Sequence, residues 1–71
     1  MKTIFLEALI SFGNDSMKKI FAIPHTPGTA IDDNWLWNAS SQIADKYLHL
    51  GNVCVSEQEI IADHQGPAVA V

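Results

Sequence analysis

The sequence contains no arginine, and only 17% of its residues are charged, below the roughly 25% that is typical of soluble domains. Arginine is the side chain most used for base-edge contacts and for bidentate contacts to phosphate. The formal net charge of −4 also repels phosphate backbones. We therefore expect no nucleic-acid binding.

The sequence also lacks a long hydrophobic run. No apolar stretch approaches the roughly 18 residues that suggest a membrane-spanning helix, so we expect no membrane interaction. Lys2 followed by an apolar stretch superficially resembles a secretory signal, but Glu7 interrupts that stretch and no small-x-small cleavage site follows. We expect a cytoplasmic location, which also suits the single cysteine, Cys54, since one cysteine excludes a disulfide within the chain.

The residue spacings of catalytic and metal sites are missing as well. The three histidines and the cysteine form neither a C-x-x-C nor an H-x-x-x-H pair, so we expect no metal and no other cofactor. Cys54 lies between two valines, and we interpret it as a small buried hydrophobic residue rather than a nucleophile. The four glycines are too scattered for a phosphate-binding loop. We expect no catalytic residue and no enzymatic activity.

Hydrophobic residues, in contrast, make up 48% of the 71 residues. A chain of this size forms one small domain, which buries only about 60% of the surface of its unfolded chain. Too few polar side chains are available to cover the surface, and exposed apolar patches often mark interaction sites. We predict that a protein partner or a homo-oligomer supplies the stability that a small core cannot.

Helical spacing of apolar residues predicts an N-terminal helical segment within residues 1–23. The residues at these spacings are Ile4, Phe5, Ala8, Leu9 and Phe12. Gly13 and Asn14 supply a stop signal of the helix C-cap type. Residues 17–23 fit either a short helix or a strand. A turn rich in proline and glycine at residues 24–28 then separates this segment from the rest of the chain.

Residues 29–66 are predicted to form a pair of helices. The first has Asp32 and Asp33 at its start, where the helix dipole favours negative charge, and it ends before Gly51. Its apolar face consists of Ile31, Trp35, Ala39, Ile43, Tyr47 and Leu50, and it is widened by Leu36, Ala44 and Leu48. The second helix is predicted at residues 56–66, since Ser56 and Glu59 form an S-x-x-E capping box.

Residues 56–66 also resemble the first helix and the turn of a helix-turn-helix DNA-binding unit. Ala62 matches the small residue that lets two helices approach closely, and Gly66 matches the glycine of the turn. The recognition helix of that family must enter the major groove, but the five residues after Gly66 contain a proline and no polar side chain. A truncated helix-turn-helix regulator is therefore only a second alternative.

Trp37 is the first candidate for partner binding. Residues two apart on a helix point about 200° from each other, so Trp35 and Trp37 cannot both face one core. Trp35 belongs to the apolar face, and Trp37 is therefore expected on the opposite side of the helix. Tryptophan is enriched at interface hot spots. The alternative is that the N-terminal segment covers both faces and buries Trp37.

The C-terminal tail, residues 67–71, is the second candidate. It consists of Pro67, Ala68, Val69, Ala70 and Val71. Such a tail can pair as a strand with a partner's sheet edge, or it can enter an enzyme's tunnel as an extended peptide. The alternative is a frayed terminus or a tail that folds back on its own core. The tail also resembles the hydrophobic C-terminal core of ribosomally made peptide precursors, whose helical leader docks on a modifying enzyme. A peptide precursor is therefore an alternative function.

These observations together predict a mainly α fold, namely a single small domain of three to four helices with an extended apolar C-terminal tail. The leading functional hypothesis is a small non-enzymatic helical protein that binds a protein partner. It would act as an accessory subunit, an inhibitor or an adaptor.

Overall fold

The computed structural model describes residues 2–62 and 64–71, which form a four-stranded sheet and one α-helix. The elements in chain order are β1 (Lys2–Phe12), β2 (Asp15–His25), α1 (Asp33–Lys46), a 3₁₀ turn (Leu48–Leu50), β3 (Val53–Ile61) and β4 (Val69–Ala70). Across the sheet the strands lie in the order β3-β1-β2-β4. The central strand β1 is antiparallel to β2 and β3, whereas β4 runs parallel to β2.

The N-terminal segment is a β-hairpin, so the prediction of a helix within residues 1–23 is wrong. β1 and β2 pair over their full length, from Lys2 opposite His25 to Phe12 opposite Asp15. β1 has apolar residues on both faces. In such a strand, apolar residues lie three and four positions apart along the sequence as well as two. The spacing of apolar residues in β1 therefore fits a helix and a strand equally well. Residues 17–23, which the sequence left as either a helix or a strand, form part of strand β2.

Gly13 and Asn14 form the hairpin turn rather than a helix C-cap. They are the only residues between β1 and β2, and Gly13 has a φ of 58°. A positive φ at the first central position is what a type II′ turn requires, and the twist of this turn matches that of paired strands. The glycine-asparagine pair was therefore a hairpin signal.

Helix α1 confirms the strongest prediction from the sequence. Its N-cap is Asp32, whose carboxylate accepts a hydrogen bond from the backbone N–H of Trp35 at 3.0 Å. Ala39 and Ile43 are buried against the sheet, as the apolar face predicted. The helix ends at Lys46 and continues only as the 3₁₀ turn, so the predicted extension of the helix to residue 50 is wrong.

Replacing Asp32 with alanine is expected to lower the free energy of unfolding by about 1 kcal/mol, because the N–H of Trp35 then loses its acceptor. Urea denaturation of the wild type and of Asp32→Ala measures this difference in the free energy of unfolding. Asp32→Asn is the matched control, since its amide oxygen still accepts the bond. Equal losses in both variants would show that the capping bond contributes nothing.

Residues 56–61 belong to β3, so the second predicted helix is wrong, and so is the mainly α fold of three to four helices. The resemblance to a helix-turn-helix unit fails with it. β3 pairs with β1 from Phe12 opposite Val53 to Phe5 opposite Ile61. This pairing lets Val53 and Val55 pack against the core. Their packing stabilises the strand more than the capping box of Ser56 and Glu59 would stabilise a helix. Asp63, within the predicted helix, lies outside the described residues.

A β-bulge interrupts β3 in its middle. Glu7 lies opposite Glu59 and Leu9 opposite Ser56, so two residues of β3 face the single residue Ala8 of β1. Glu57 has a φ of 50°, the only positive φ among the described residues other than glycine. The bulge therefore divides β3 into two halves with different backbone directions.

The hydrophobic core lies between α1 and one face of the sheet. Its buried members are Leu6, Ala8, Ile10, Phe21, Ile23, Ala39 and Ile43. Cys54 is exposed, which corrects the prediction that it is a small buried residue. Neighbouring strand residues point to opposite faces, so Val53 and Val55 pack against the core while Cys54 points away from it. Among the residues described, no helix has the length and apolar character needed to cross a membrane.

Candidate functional site

Trp37 is the most exposed large hydrophobic side chain among the described residues, with 72% of its surface accessible. Trp35, two residues earlier, is half-buried and packs against the core. The prediction that the two tryptophans lie on different sides of the helix is confirmed. The alternative, in which the N-terminal segment buries Trp37, is wrong, because the hairpin covers only the inner face of α1.

A groove runs between α1 and β3, beside Trp37. We call it the β3 groove, and it is lined by Trp37, Ser40, Ser41, Ala44, Val53, Cys54 and Val55. The hydroxyl of Ser40 donates a hydrogen bond to the backbone carbonyl of Trp37 at 2.8 Å. None of the lining side chains is charged. The groove therefore offers a mainly apolar, uncharged surface next to an exposed tryptophan.

The outer side of β3 is an open sheet edge. Within residues 2–62 and 64–71, β3 pairs with β1 on its inner side and with no strand on its outer side. The opposite edge of the sheet is β4, which has two residues, whereas β3 has nine. Unpaired backbone N–H and C=O groups on an edge strand are a template for pairing with another chain.

The two halves of β3 differ in charge. The half from Val53 to Ser56 is uncharged and borders the β3 groove, whereas the half beyond it contains Glu57 and Glu59, both exposed. In the part of the chain that the structure describes, one ion pair is present, between Lys18 Nζ and Glu7 Oε1 at 3.9 Å. Neither Glu57 nor Glu59 has a cationic partner among these residues.

The tail lies at the other edge of the sheet from Trp37. Val69 and Ala70 form β4 and pair with Phe21 and Ala22 of β2. Val69 and Val71 also pack against the core, so the fold-back of the tail, one of the alternatives from the sequence, is confirmed. The role of residues 67–71 in partner binding stays a prediction.

His64 holds the chain that leads into the tail. Its ring lies 5.1 Å from the ring of Phe5, centroid to centroid, and its Nε2 donates a hydrogen bond to the carbonyl of Pro67 at 3.0 Å. Phe5 points to the sheet face that α1 does not cover. This contact explains how the tail stays close to the sheet after β3 ends.

His25 has a structural position at the end of β2. Its Nε2 donates a hydrogen bond to the carbonyl of Thr29 at 2.9 Å, and its ring meets that of Trp35 edge to face at 6.3 Å. These contacts fix the loop that leads to α1. Nowhere in the described residues do three histidine, cysteine, aspartate or glutamate side chains come together as a metal site would require.

No protein-family model, curated protein or solved structure matches the chain. The β3 groove and the open edge of β3 are therefore the features from which a function can be inferred. Of the groove, the sequence indicated only Trp37. Val53 and Val55 lie between the two helices predicted from the sequence, although their alternation with Cys54 is a strand signal.

Proposed function

We propose that the protein is a non-enzymatic binding module that takes up an extended segment of a protein partner along the open edge of β3. The observation that supports this most is the position of Trp37, which is 72% exposed directly beside an uncharged groove and an unpaired strand edge. An exposed tryptophan has no role in the core of this domain. It does provide a large apolar contact at low cost in side-chain entropy.

The proposed binding mode is β-strand addition. The partner's backbone forms hydrogen bonds with the outer N–H and C=O groups of β3, and these bonds supply affinity without regard to sequence. Alternate side chains of the partner then point into the β3 groove, where Val53, Val55 and Ala44 contact them. Trp37 closes over the outer side of the bound segment and shields it from water.

Such a module suits an accessory subunit, an inhibitor or an adaptor, because all three act by occupying a partner's surface. A cytoplasmic location is part of the proposal. It is supported by the thiol of Cys54, which is exposed and unpaired, as is usual in a reducing compartment.

Replacing Trp37 with alanine is expected to weaken partner binding by about 30-fold or more, the loss typical of a hot-spot residue. The midpoint of thermal unfolding should stay nearly unchanged, because an exposed side chain away from the core contributes within about 0.5 kcal/mol. Binding is measured by purifying the N-terminally tagged protein from its native cells and quantifying the co-purified proteins. Thermal unfolding is followed by circular dichroism.

Leu48→Ala is the matched control for Trp37→Ala. Leu48 is also a large apolar residue, 61% exposed, but it does not line the β3 groove. It should leave both stability and the set of co-purified proteins unchanged. If Trp37→Ala retains the same proteins as the wild type, or if Leu48→Ala loses them equally, the β3 groove is not the binding site.

A further inference from the structure

We propose that the segment bound along β3 is basic, with an apolar residue opposite Val53 and Val55 and lysine or arginine opposite Glu57 and Glu59. This inference rests on the proposed function, since it names the class of partner that the same edge selects. It follows from how charge is distributed along β3 and its neighbours.

The apolar and acidic halves of β3 are close enough for one short segment to reach both. A strand rises about 3.3 Å per residue, so Val55 and Glu59 are separated by about 13 Å along β3. The β3 groove ends near Val55, and both glutamates beyond it are exposed. A segment of seven to nine residues, on the order of 25 Å long, therefore covers the groove and the acidic half together.

The acidic half of β3 has a charge that its own chain leaves uncompensated in the described residues. Glu59 lies directly opposite Glu7 of β1, and like charges in this position destabilise a sheet. The amine of Lys18 contacts Glu7 from the β2 side at 3.9 Å and gives that glutamate a partner. A cationic side chain on a strand added outside β3 would do the same for Glu59.

The same charges disfavour a second copy of the chain as the occupant. A two-fold contact brings the same surface together from both copies. Antiparallel self-pairing centred on the acidic half would place Glu57 and Glu59 against the same residues of the other copy. Exposed charges are one of the usual means by which edge strands avoid self-pairing, and Glu57 and Glu59 are both exposed. The acidic half of β3 thus disfavours pairing with an acidic strand and favours pairing with a basic one.

The test uses the full chain and two capped synthetic peptides of eleven residues. Both have alternating valine and threonine in the centre. One has two lysines at each end and the other has two glutamates at each end, so that either strand direction brings charge to Glu57 and Glu59. In the Trp35→Phe variant Trp37 is the sole tryptophan, and a blue shift of its emission reports that it becomes covered.

The lysine peptide is expected to bind about five-fold more tightly than the glutamate peptide at low ionic strength, as two cross-strand ion pairs allow. The preference should shrink as salt is added, because exposed charges are screened. The Glu57→Gln, Glu59→Gln double variant should lose the preference and still bind both peptides. Asp15→Asn, Asp33→Asn is the matched control, since it removes two negative charges outside β3 and should keep the preference.

Each other outcome overturns a defined part of the inference. Equal binding of the two peptides, or a preference that survives in the double glutamine variant, contradicts charge selection but leaves groove binding intact. If neither peptide shifts the emission of Trp37, the proposed function itself fails. If sedimentation velocity shows a dimer in which Trp37 is already covered, the occupant is a second copy and the basic-partner proposal is wrong.

Discussion

Replacing Phe21 with alanine is expected to lower the free energy of unfolding by about 3–5 kcal/mol, much of the total stability of a domain this small. Phe21 is fully buried and is among the largest side chains in the core. It lies opposite Leu6 on β1 and opposite Val69 on β4, and its ring meets that of Tyr47 edge to face at 6.2 Å. Its removal leaves a cavity between β1, β4 and the ring of Tyr47.

Urea denaturation followed by circular dichroism measures the effect of Phe21→Ala. The matched control is Phe5→Ala, which makes the same chemical change on the sheet face that α1 does not cover. Phe5 is only half-buried, so its replacement should cost less than half as much. Equal losses would indicate that the uncovered face is packed as densely as the core.

Replacing Ala39 with leucine is expected to destabilise the protein by about 1–3 kcal/mol, although the change adds apolar surface. Ala39 and Ala8 are both buried in the layer between α1 and the sheet, with 2% and 0% exposure. Small side chains at these positions let the helix pack close to the strands. A leucine at position 39 must push the helix outward or adopt a strained rotamer.

Thermal and urea unfolding of Ala39→Leu test this prediction. Ala44→Leu is the matched control, because Ala44 lies on the same helix but lines the open β3 groove, where a larger side chain has room. It should change the free energy of unfolding by no more than about 0.5 kcal/mol. A stabilised Ala39→Leu protein would show that space remains between α1 and the sheet.

Helix α1 was predictable because several local signals agree there. Asp32 caps the first turn, and Trp35, Ala39 and Ile43 recur at helical spacing, one on each of three successive turns. The exposure of Trp37 followed from this helix by geometry alone. The capping residue, the helix dipole and the spacing of apolar residues all predict a helix here. Since these local signals agree, the tertiary contacts do not have to decide between competing structures.

The strands were mispredicted because their signals conflict. β1 is apolar on both faces, which obscures the two-residue period, and Gly13-Asn14 resembles a helix stop as much as a hairpin turn. In β3, Ser56 and Glu59 match a capping box, while pairing with β1 buries Val53 and Val55. That pairing joins residues more than 40 positions apart, so no local pattern contains it.

The β3 groove could not be predicted for the same reason. Trp37 and Ala44 belong to α1, and Val53 and Val55 belong to β3, so the groove exists only once the two elements are placed side by side. The free edge of β3 depends in turn on the strand order of the whole sheet. A sequence can indicate an exposed tryptophan, but the partner surface beside it is a property of the fold.

The order of the strands has a consequence for how the chain assembles. The hairpin of β1 and β2 closes through a two-residue turn, whereas β3 must reach β1 across more than 40 residues and therefore bears the larger loop-closure cost. β3 is thus expected to join after the hairpin and α1 have formed. A ligand that adds to β3 binds only chains that have completed this step, and by mass action it draws the population toward the finished fold.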